Sequence, residues 1–210
     1  MTNTTWRQTA FTAGPACMMA YGLIRLTDPT HGPGPAWSLG HLALLAGVLL
    51  FVPVMLGLRR AAVAGRGRVS GAVAGAGAVL GLLGVVAVTA QAGIDLLVGY
   101  CSVDRPTMDE LFQRIQGVPG VEPAVYSVGP LLFYVGLVVL LAQLAILRAT
   151  AAWRPLVVVA GVAVTAASLD LIPLGALLFL AALAPLGHAA AEPVPPRRVP
   201  AGSARSGAAT

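Results

Sequence analysis

The feature that most constrains this chain is the length of the intervals that contain no charged residue. The intervals 29–58, 69–94 and 123–147 hold 30, 26 and 25 consecutive uncharged residues. An α-helix rises about 1.5 Å per residue, so roughly 20 apolar residues cross a hydrocarbon core of about 30 Å. Each of these intervals is therefore long enough to form one membrane-spanning helix.

The composition of the whole chain points the same way. Of the 210 residues, 57% are hydrophobic and only 10% are charged, whereas soluble domains carry about 25% charged residues. A soluble domain of this length needs far more charge on its surface. The composition therefore excludes an ordinary cytosolic enzyme, a disordered chain and a nucleic-acid-binding module, and it predicts an integral membrane protein.

The predicted fold class is all-α, a polytopic transmembrane helical bundle of about six spans in one domain, 1–190. The stretch 155–188 is too long for one crossing, and Asp170, Pro173 and Gly175 predict a turn in its middle. One kinked helix there, giving five spans, remains an alternative. The six spans are predicted at about 9–26, 37–58, 71–100, 129–148, 155–170 and 172–188.

The arginines predict the orientation of these spans. With six spans and the N-terminus inside, ten of the thirteen arginines lie in inner segments, as the positive-inside rule requires. With five spans the division becomes seven against six. We therefore predict a cell-membrane protein with both termini in the cytoplasm. The polar segment 191–210, rich in Pro, Ala, Gly and Ser, is predicted to be a disordered cytoplasmic tail.

All thirteen basic residues are arginine and none is lysine, and alanine, glycine and valine are abundant. In this composition and in its general layout, the whole chain resembles the small multi-pass integral membrane proteins that are common in GC-rich actinobacterial genomes. The resemblance includes no signature motif, so it implies no functional residue.

A short amphipathic helix is predicted between the third and fourth spans. Pro106, Thr107 and Glu110 indicate where it starts. It has the i, i+3, i+4, i+7 spacing of one apolar face, formed by Met108, Leu111, Phe112 and Ile115. We expect this helix to lie on the outer surface, either as a connector resting on the membrane or as a lid over a pocket.

Three polar residues within or beside the spans are the candidate site residues: Asp95, Asp170 and His41. An aspartate in hydrocarbon costs about 2.5–3.5 kcal/mol, so each aspartate needs an explanation. In the six-span arrangement all three residues lie toward the outer ends of their helices, where they could share an acid/base site. The alternative is structural: Asp95 reaches interfacial water, and Asp170 shapes the turn.

Three functions remain open from the sequence alone. The first is a structural or partner-binding role. The second is an intramembrane acid/base enzyme acting on a lipophilic substrate, such as an isoprenoid or lipid, and the third is a small transporter or channel. The sequence has no CxxC, HExxH or GxSxG motif and no phosphate-binding loop, so no cofactor and no metal are expected. The expected partners are the lipid bilayer and a lipophilic small molecule or membrane protein, and no nucleic acid.

Overall fold

The computed structural model of the chain describes residues 3–64 and 66–189, with side chains described for 8–64 and 66–187. These residues form seven α-helices and no β-strand, which confirms the predicted all-α fold. The helices are α1 (Asn3–Leu26), α2 (Pro35–Val63), α3 (Arg68–Cys101), α4 (Arg105–Gln116), α5 (Val128–Ile146), α6 (Trp153–Ala167) and α7 (Ile172–Ala189). The predicted tail 191–210 lies outside the described residues.

Two irregular turns and one helix start add detail that the sequence did not predict. A π-helical turn, Glu122–Ser127, leads directly into α5, and a 3₁₀ turn, Leu169–Leu171, joins α6 to α7. The helix predicted after the third span is α4, but its N-cap is Asp104, whose side chain accepts a hydrogen bond from the Thr107 amide. Asp104 caps because its carboxylate lies where the free amides of the first turn point.

By length and composition, four helical segments of the described chain could cross a membrane. They are Pro35–Val63, Arg68–Cys101, Glu122–Ile146 and Leu169–Gly187. α6 is also apolar, but its 15 residues extend only about 22 Å. α1 has 24 residues and is less apolar than the other long helices. The structure thus contains four candidate membrane-spanning helices, compared with the six predicted spans.

The six helices other than α4 form a closed ring in the order α1, α2, α3, α5, α6, α7, and α7 packs back against α1. Neighbours run antiparallel: Gly22 lies against Pro173 at one end of the α1–α7 contact, and Gly187 lies against Gln8 at the other. We call the end where α1, α3 and α6 finish the His41 end. The opposite end is the arginine-rich end, which carries Arg59, Arg60, Arg66, Arg68, Arg148 and Arg154.

Glycines bring α3 and α5 into backbone contact. A Cβ at Gly84 would lie 2.0 Å from the backbone nitrogen of Phe133, and a Cβ at Gly136 would lie 2.2 Å from that of Gly81. Gly75 on α3, in contrast, has nothing within 4 Å of where its Cβ would be. Small residues allow such close packing between helices that share an apolar environment. Part of the glycine-rich stretch of α3 therefore packs within the bundle.

Toward the arginine-rich end, the core of the ring is apolar and tightly filled. Phe51, Met55, Leu137 and Leu140 have essentially no exposed surface there. Phe51 and Phe133 meet edge to face, with ring centroids 4.9 Å apart, which is a favoured aromatic geometry. The polar residues of interest lie between this packed core and the His41 end.

Candidate functional site

His41 on α2 and Asp95 on α3 face each other near the His41 end of the bundle. His41 Nε2 lies 3.4 Å from Asp95 Oδ2, and the two side chains are only 5% and 8% exposed. A buried charge without a partner is strongly unfavourable. The two side chains therefore depend on each other, and two of the three candidate residues from the sequence are in contact.

The second nitrogen of the His41 ring indicates which nitrogen carries hydrogen. His41 Nδ1 lies 2.8 Å from the backbone carbonyl oxygen of Trp37. A carbonyl only accepts hydrogen bonds, so Nδ1 must carry a hydrogen. In a neutral imidazole Nε2 would then be a bare acceptor facing a carboxylate oxygen, which is repulsive. The contact becomes attractive when it holds one further proton, on His41 Nε2 or on Asp95 Oδ2.

Two hydrogen bonds also hold Asp95 in place. The indole Nε1 of Trp37 donates to the backbone carbonyl of Asp95 over 2.7 Å. The hydroxyl of Tyr126 donates to Asp95 Oδ1 over 3.2 Å. One carboxylate oxygen thus faces His41 and the other faces Tyr126, so three helical segments position this carboxylate.

The π-helical turn explains how Tyr126 reaches Asp95. Pro130 has no N–H to offer the carbonyl of Tyr126 four residues earlier, so regular α-helical bonding is interrupted there. Gly129 permits the wider turn, because a Cβ at this position would lie 1.9 Å from the carbonyl oxygen of Ala124. Local sequence therefore produces the irregular turn that carries the tyrosine.

A small cleft of about 20 Å³, with room for about one water molecule, lies beside the pair, between the ends of α1 and α2. His41 borders this cleft. The other lining residues come from α1, from α2 and from the loop between them: Tyr21, Ile24, Arg25, Asp28, His31, Ala36, Trp37 and Gly40. His41, one member of the pair, is therefore next to a space that a small polar group can enter.

Asp170, the third candidate residue, does not contact the other two. It lies in the 3₁₀ turn, and its Oδ1 is 3.5 Å from Arg25 Nε. Its side chain is 58% exposed, whereas that of Arg25 is 20% exposed. Tyr21 interacts electrostatically with both Arg25 and Asp95. The two aspartates therefore share one end of the bundle, separated by Arg25 and Tyr21, and do not form one paired-carboxylate site.

The loop between α1 and α2 is fixed by its own hydrogen bonds. Asp28 accepts hydrogen bonds from the hydroxyl and the amide of Thr30, and these bonds lower the pKa of the Asp28 carboxyl below its ordinary value. His31 has a left-handed backbone, with φ of 47°, which is unusual outside glycine. Its carbonyl accepts a hydrogen bond from Arg105 on α4. Arg105 thereby joins α4 to the loop that borders the cleft.

α4 also packs over the pair. Phe112 lies against the indole of Trp37, with ring centroids 6.1 Å apart, and Met108 is completely buried. Two residues of the apolar face predicted from the sequence thus point into the bundle. In this conformation α4 covers the Trp37 side of the site.

Four residues of the site were not among the sequence candidates: Tyr21, Arg25, Trp37 and Tyr126. From position alone, Trp37 at the start of the predicted span 37–58 is expected to be an interfacial residue, and Arg25 near the end of the span 9–26 an outer-segment charge. The sequence does hold a signal for Tyr21 and Arg25: their i, i+4 spacing places both side chains on one face of α1. Tyr126 carried no signal, because its position depends on the π-helical turn.

No protein-family model, no curated protein and no solved structure matches this chain. Within the described part of the chain, no group of three His, Cys, Asp or Glu side chains could hold a metal ion. The chemistry that the site can perform therefore has to be argued from its own residues, which offer a buried imidazole, a buried carboxylate and a nearby cation.

Proposed function

We propose that the chain is a cell-membrane protein with six spans and with both termini in the cytoplasm. The antiparallel ring supports this proposal, because six alternating helices return the chain to its starting side. The charge distribution supports it too: six described arginines lie at the arginine-rich end, and Arg25, Arg105 and Arg114 lie at the His41 end. In this arrangement α4 is a surface helix on the outer side.

Reporter fusions test the topology. Fusions after residues 64 and 152 should report the cytoplasm, and a fusion after residue 115 should report the outside. A fusion after residue 200 distinguishes six spans from five, because with five spans the C-terminus moves outside. An outside signal at residue 64 or 200 would contradict the proposal.

We further propose that the protein is an intramembrane acid/base enzyme that acts on a lipophilic substrate. The observation that carries this proposal is the hydrogen bond from His41 Nδ1 to the Trp37 carbonyl, because it leaves Nε2 facing Asp95 Oδ2, a contact that is attractive when it holds a transferable proton. A positioned proton donor beside a cleft is what general acid catalysis needs. A lipophilic substrate reaches such a site from the surrounding hydrocarbon.

The proposed chemistry is one reversible proton transfer. The His41–Asp95 pair donates its shared proton to a basic atom of the substrate in the cleft, which leaves neutral imidazole beside carboxylate. Tyr126 holds the carboxylate during this step through its hydrogen bond to Oδ1. The pair recovers a proton when product forms or from water at the His41 end, so no redox partner is required.

The packed core argues for an enzyme over a transporter. On the arginine-rich side of the pair, Phe51, Met55 and Leu137 are fully buried. A transport pathway would have to pass through this apolar layer. A site that opens toward one end only is better suited to chemistry on a bound molecule.

The substitution Asp95→Asn tests whether the pair is catalytic or structural. The asparagine amide can donate to His41 Nε2, and its oxygen can accept from Tyr126, so the contacts with both partners are kept and only the ionisable carboxyl is removed. Asp95→Ala leaves both partners without a bond and should destabilise the fold by about 3 kcal/mol. Asp109→Asn, on the exposed face of α4, is the matched control.

The readouts are thermal stability in detergent and the lipid profile of a deletion strain that expresses each variant. The proposal expects Asp95→Asn to fold like the wild type while the lipid change produced by the wild type disappears. Asp109→Asn should behave as the wild type in both measurements. If Asp95→Asn restores the wild-type lipid profile, or if the wild type changes no lipid, the pair is structural and the enzyme proposal fails.

A further inference from the structure

We infer that the groove between α5 and α6 binds an acyl chain of an anionic phospholipid, and that Arg148, at the arginine-rich end, contacts the phosphate of its headgroup. The groove shares no residue with the His41–Asp95 pair, so this site is separate from the proposed acid/base site. The inference depends on the proposed membrane location but not on the enzyme proposal. Three observations carry it: the apolar walls of the groove, its depth, and the charge at its end.

The groove is apolar and opens sideways from the bundle. It has a volume of about 260 Å³ and is lined by Tyr134 and six aliphatic side chains. Three of the aliphatic residues, Leu131, Val135 and Val159, are exposed at the surface of the ring. An apolar cavity of about 150 Å³ can already hold benzene. The groove is therefore large enough for a stretch of acyl chain that enters from the surrounding hydrocarbon.

The depth of the groove matches one leaflet of a membrane. Val159 and Val162 line it and lie about 9 and 13 Å beyond Trp153 along α6. Trp153 is 47% exposed at the start of that helix, where an amphipathic ring favours the membrane interface. Half of a hydrocarbon core of about 30 Å is about 15 Å. An acyl chain whose headgroup lies level with Trp153 therefore runs past both valines.

The loop at this end of the groove offers a free cation. Arg148 is exposed between α5 and α6, and no described side chain makes a hydrogen bond or ion pair with its guanidinium. Every carboxylate of the described chain lies toward the opposite, His41 end. An arginine fork matches the oxygens of a phosphate. An anionic headgroup at this loop thus meets a guanidinium without a competing carboxylate.

Arg154, on the same helix end as Trp153, is already engaged within the protein. One of its terminal nitrogens donates to the carbonyl of Ala182 on α7 over 2.6 Å, and its guanidinium lies 5.2 Å from the centre of the Trp153 ring. The second contact has the geometry of a cation–π interaction. Arg154 therefore positions Trp153 and α7, which leaves Arg148 as the contact for the headgroup.

The backbone of Arg148 supports a role for its side chain outside folding. Its φ of 54° is a left-handed conformation that glycine adopts more easily than arginine. Residues held in such conformations are concentrated at functional sites. A phosphate contact gives the arginine side chain a role that offsets the strain of this position.

Native mass spectrometry of the purified full chain in detergent tests the inference. The probes are dioleoyl phosphatidylglycerol, which is anionic, and dioleoyl phosphatidylcholine, which has the same tails and no net charge. The wild type should bind phosphatidylglycerol about fivefold more tightly, which is the contribution of about one arginine beside anionic lipid.

Two pairs of variants assign this binding to the groove and to Arg148. Arg148→Gln should lose most of the fivefold preference, whereas Arg60→Gln, at the same end but across the ring on α2, should keep it. Val159→Phe fills the groove and should weaken the binding of both lipids. Val86→Phe, at an exposed position of α3 outside the groove, should bind as the wild type. All four positions are at the surface or border the open groove, so each variant should fold.

Four results would overturn the inference. They are equal binding of the two lipids by the wild type, equal losses of preference in Arg148→Gln and Arg60→Gln, unchanged lipid binding in Val159→Phe, and a dimer that Val159→Phe disrupts. The second result would mean that the charge of the whole end attracts the lipid, and the fourth that a second copy of the chain occupies the groove. Asp95→Asn should bind both lipids as the wild type does, so this inference and the enzyme proposal fail separately.

Discussion

The substitution Gly84→Ala should separate α3 from α5 and destabilise the bundle. The new Cβ would lie 2.0 Å from the backbone nitrogen of Phe133, whereas ordinary contact begins at 3.4 Å. The obstacle is backbone, so no side-chain rotation can relieve it, and the helices must move apart locally by about 1.4 Å. A radial gap of 0.5–1 Å already forfeits about a quarter to a half of each dispersion contact.

The magnitude follows from two opposing contributions. Replacing glycine by alanine within a helix favours folding by about 0.5–1 kcal/mol. Overpacking a tight interface costs about 1–3 kcal/mol, and more when backbone must move. We therefore expect Gly84→Ala to lower the free energy of unfolding by about 2 kcal/mol.

Gly75→Ala is the matched control because it lies on the same helix and its Cβ would meet nothing within 4 Å. It should stabilise the protein by about 0.5–1 kcal/mol. Both variants can be measured by equilibrium unfolding in mixed detergent micelles. If Gly84→Ala is as stable as Gly75→Ala, the close approach of α3 and α5 is wrong.

Three further predictions concern single residues outside this interface. Arg148 has φ of 54° after α5, so Arg148→Gly should raise the free energy of unfolding by about 0.5–1 kcal/mol, measured in the same unfolding assay; no gain would argue against the left-handed helix end. The Thr107 hydrogen bonds lower the pKa of the Asp104 carboxyl below its ordinary value. The stability that this cap adds to α4 is therefore present at neutral pH and is lost as the pH falls through the lowered pKa. Hydrogen exchange of the α4 amides, corrected for intrinsic rates, should show this loss of protection in the wild type but not in Asp104→Asn. Tyr126→Phe should cost about 1 kcal/mol, seen as a lower thermal midpoint, and an unchanged midpoint would exclude its hydrogen bond to Asp95.

The sequence predicted the all-α fold because long apolar segments without charge are typical of helices in hydrocarbon, although four helices rather than six are long and apolar enough to span a membrane in the described chain. It predicted less about the contacts, because these depend on how each helix is rotated in the ring. His41 and Asp95 were expected at one end, and α2 and α3 are neighbours that turn both side chains inward. Asp170 was expected at the same end, but its turn directs it outward to Arg25.

The residues that sequence analysis missed depend on irregular or long-range geometry. Tyr126 reaches the carboxylate only because the backbone widens into a π-helical turn before α5. The position of Trp37 at the start of a predicted span favours the membrane interface, as is usual for an amphipathic ring. Its indole nitrogen instead found an acceptor in the Asp95 carbonyl, since α3 packs directly against it.

The closed ring has a consequence for biogenesis. Chains emerge from the ribosome N-terminus first, so α1 must wait for its second neighbour until α7, the last helix, has been made. Asp170, the partner of Arg25, arrives in the same final step. A chain truncated before the 3₁₀ turn should therefore expose one side of α1 and leave Arg25 uncompensated, which makes it a substrate for membrane quality control. Completion of α7 therefore closes the bundle and neutralises the charge of Arg25 in the same step.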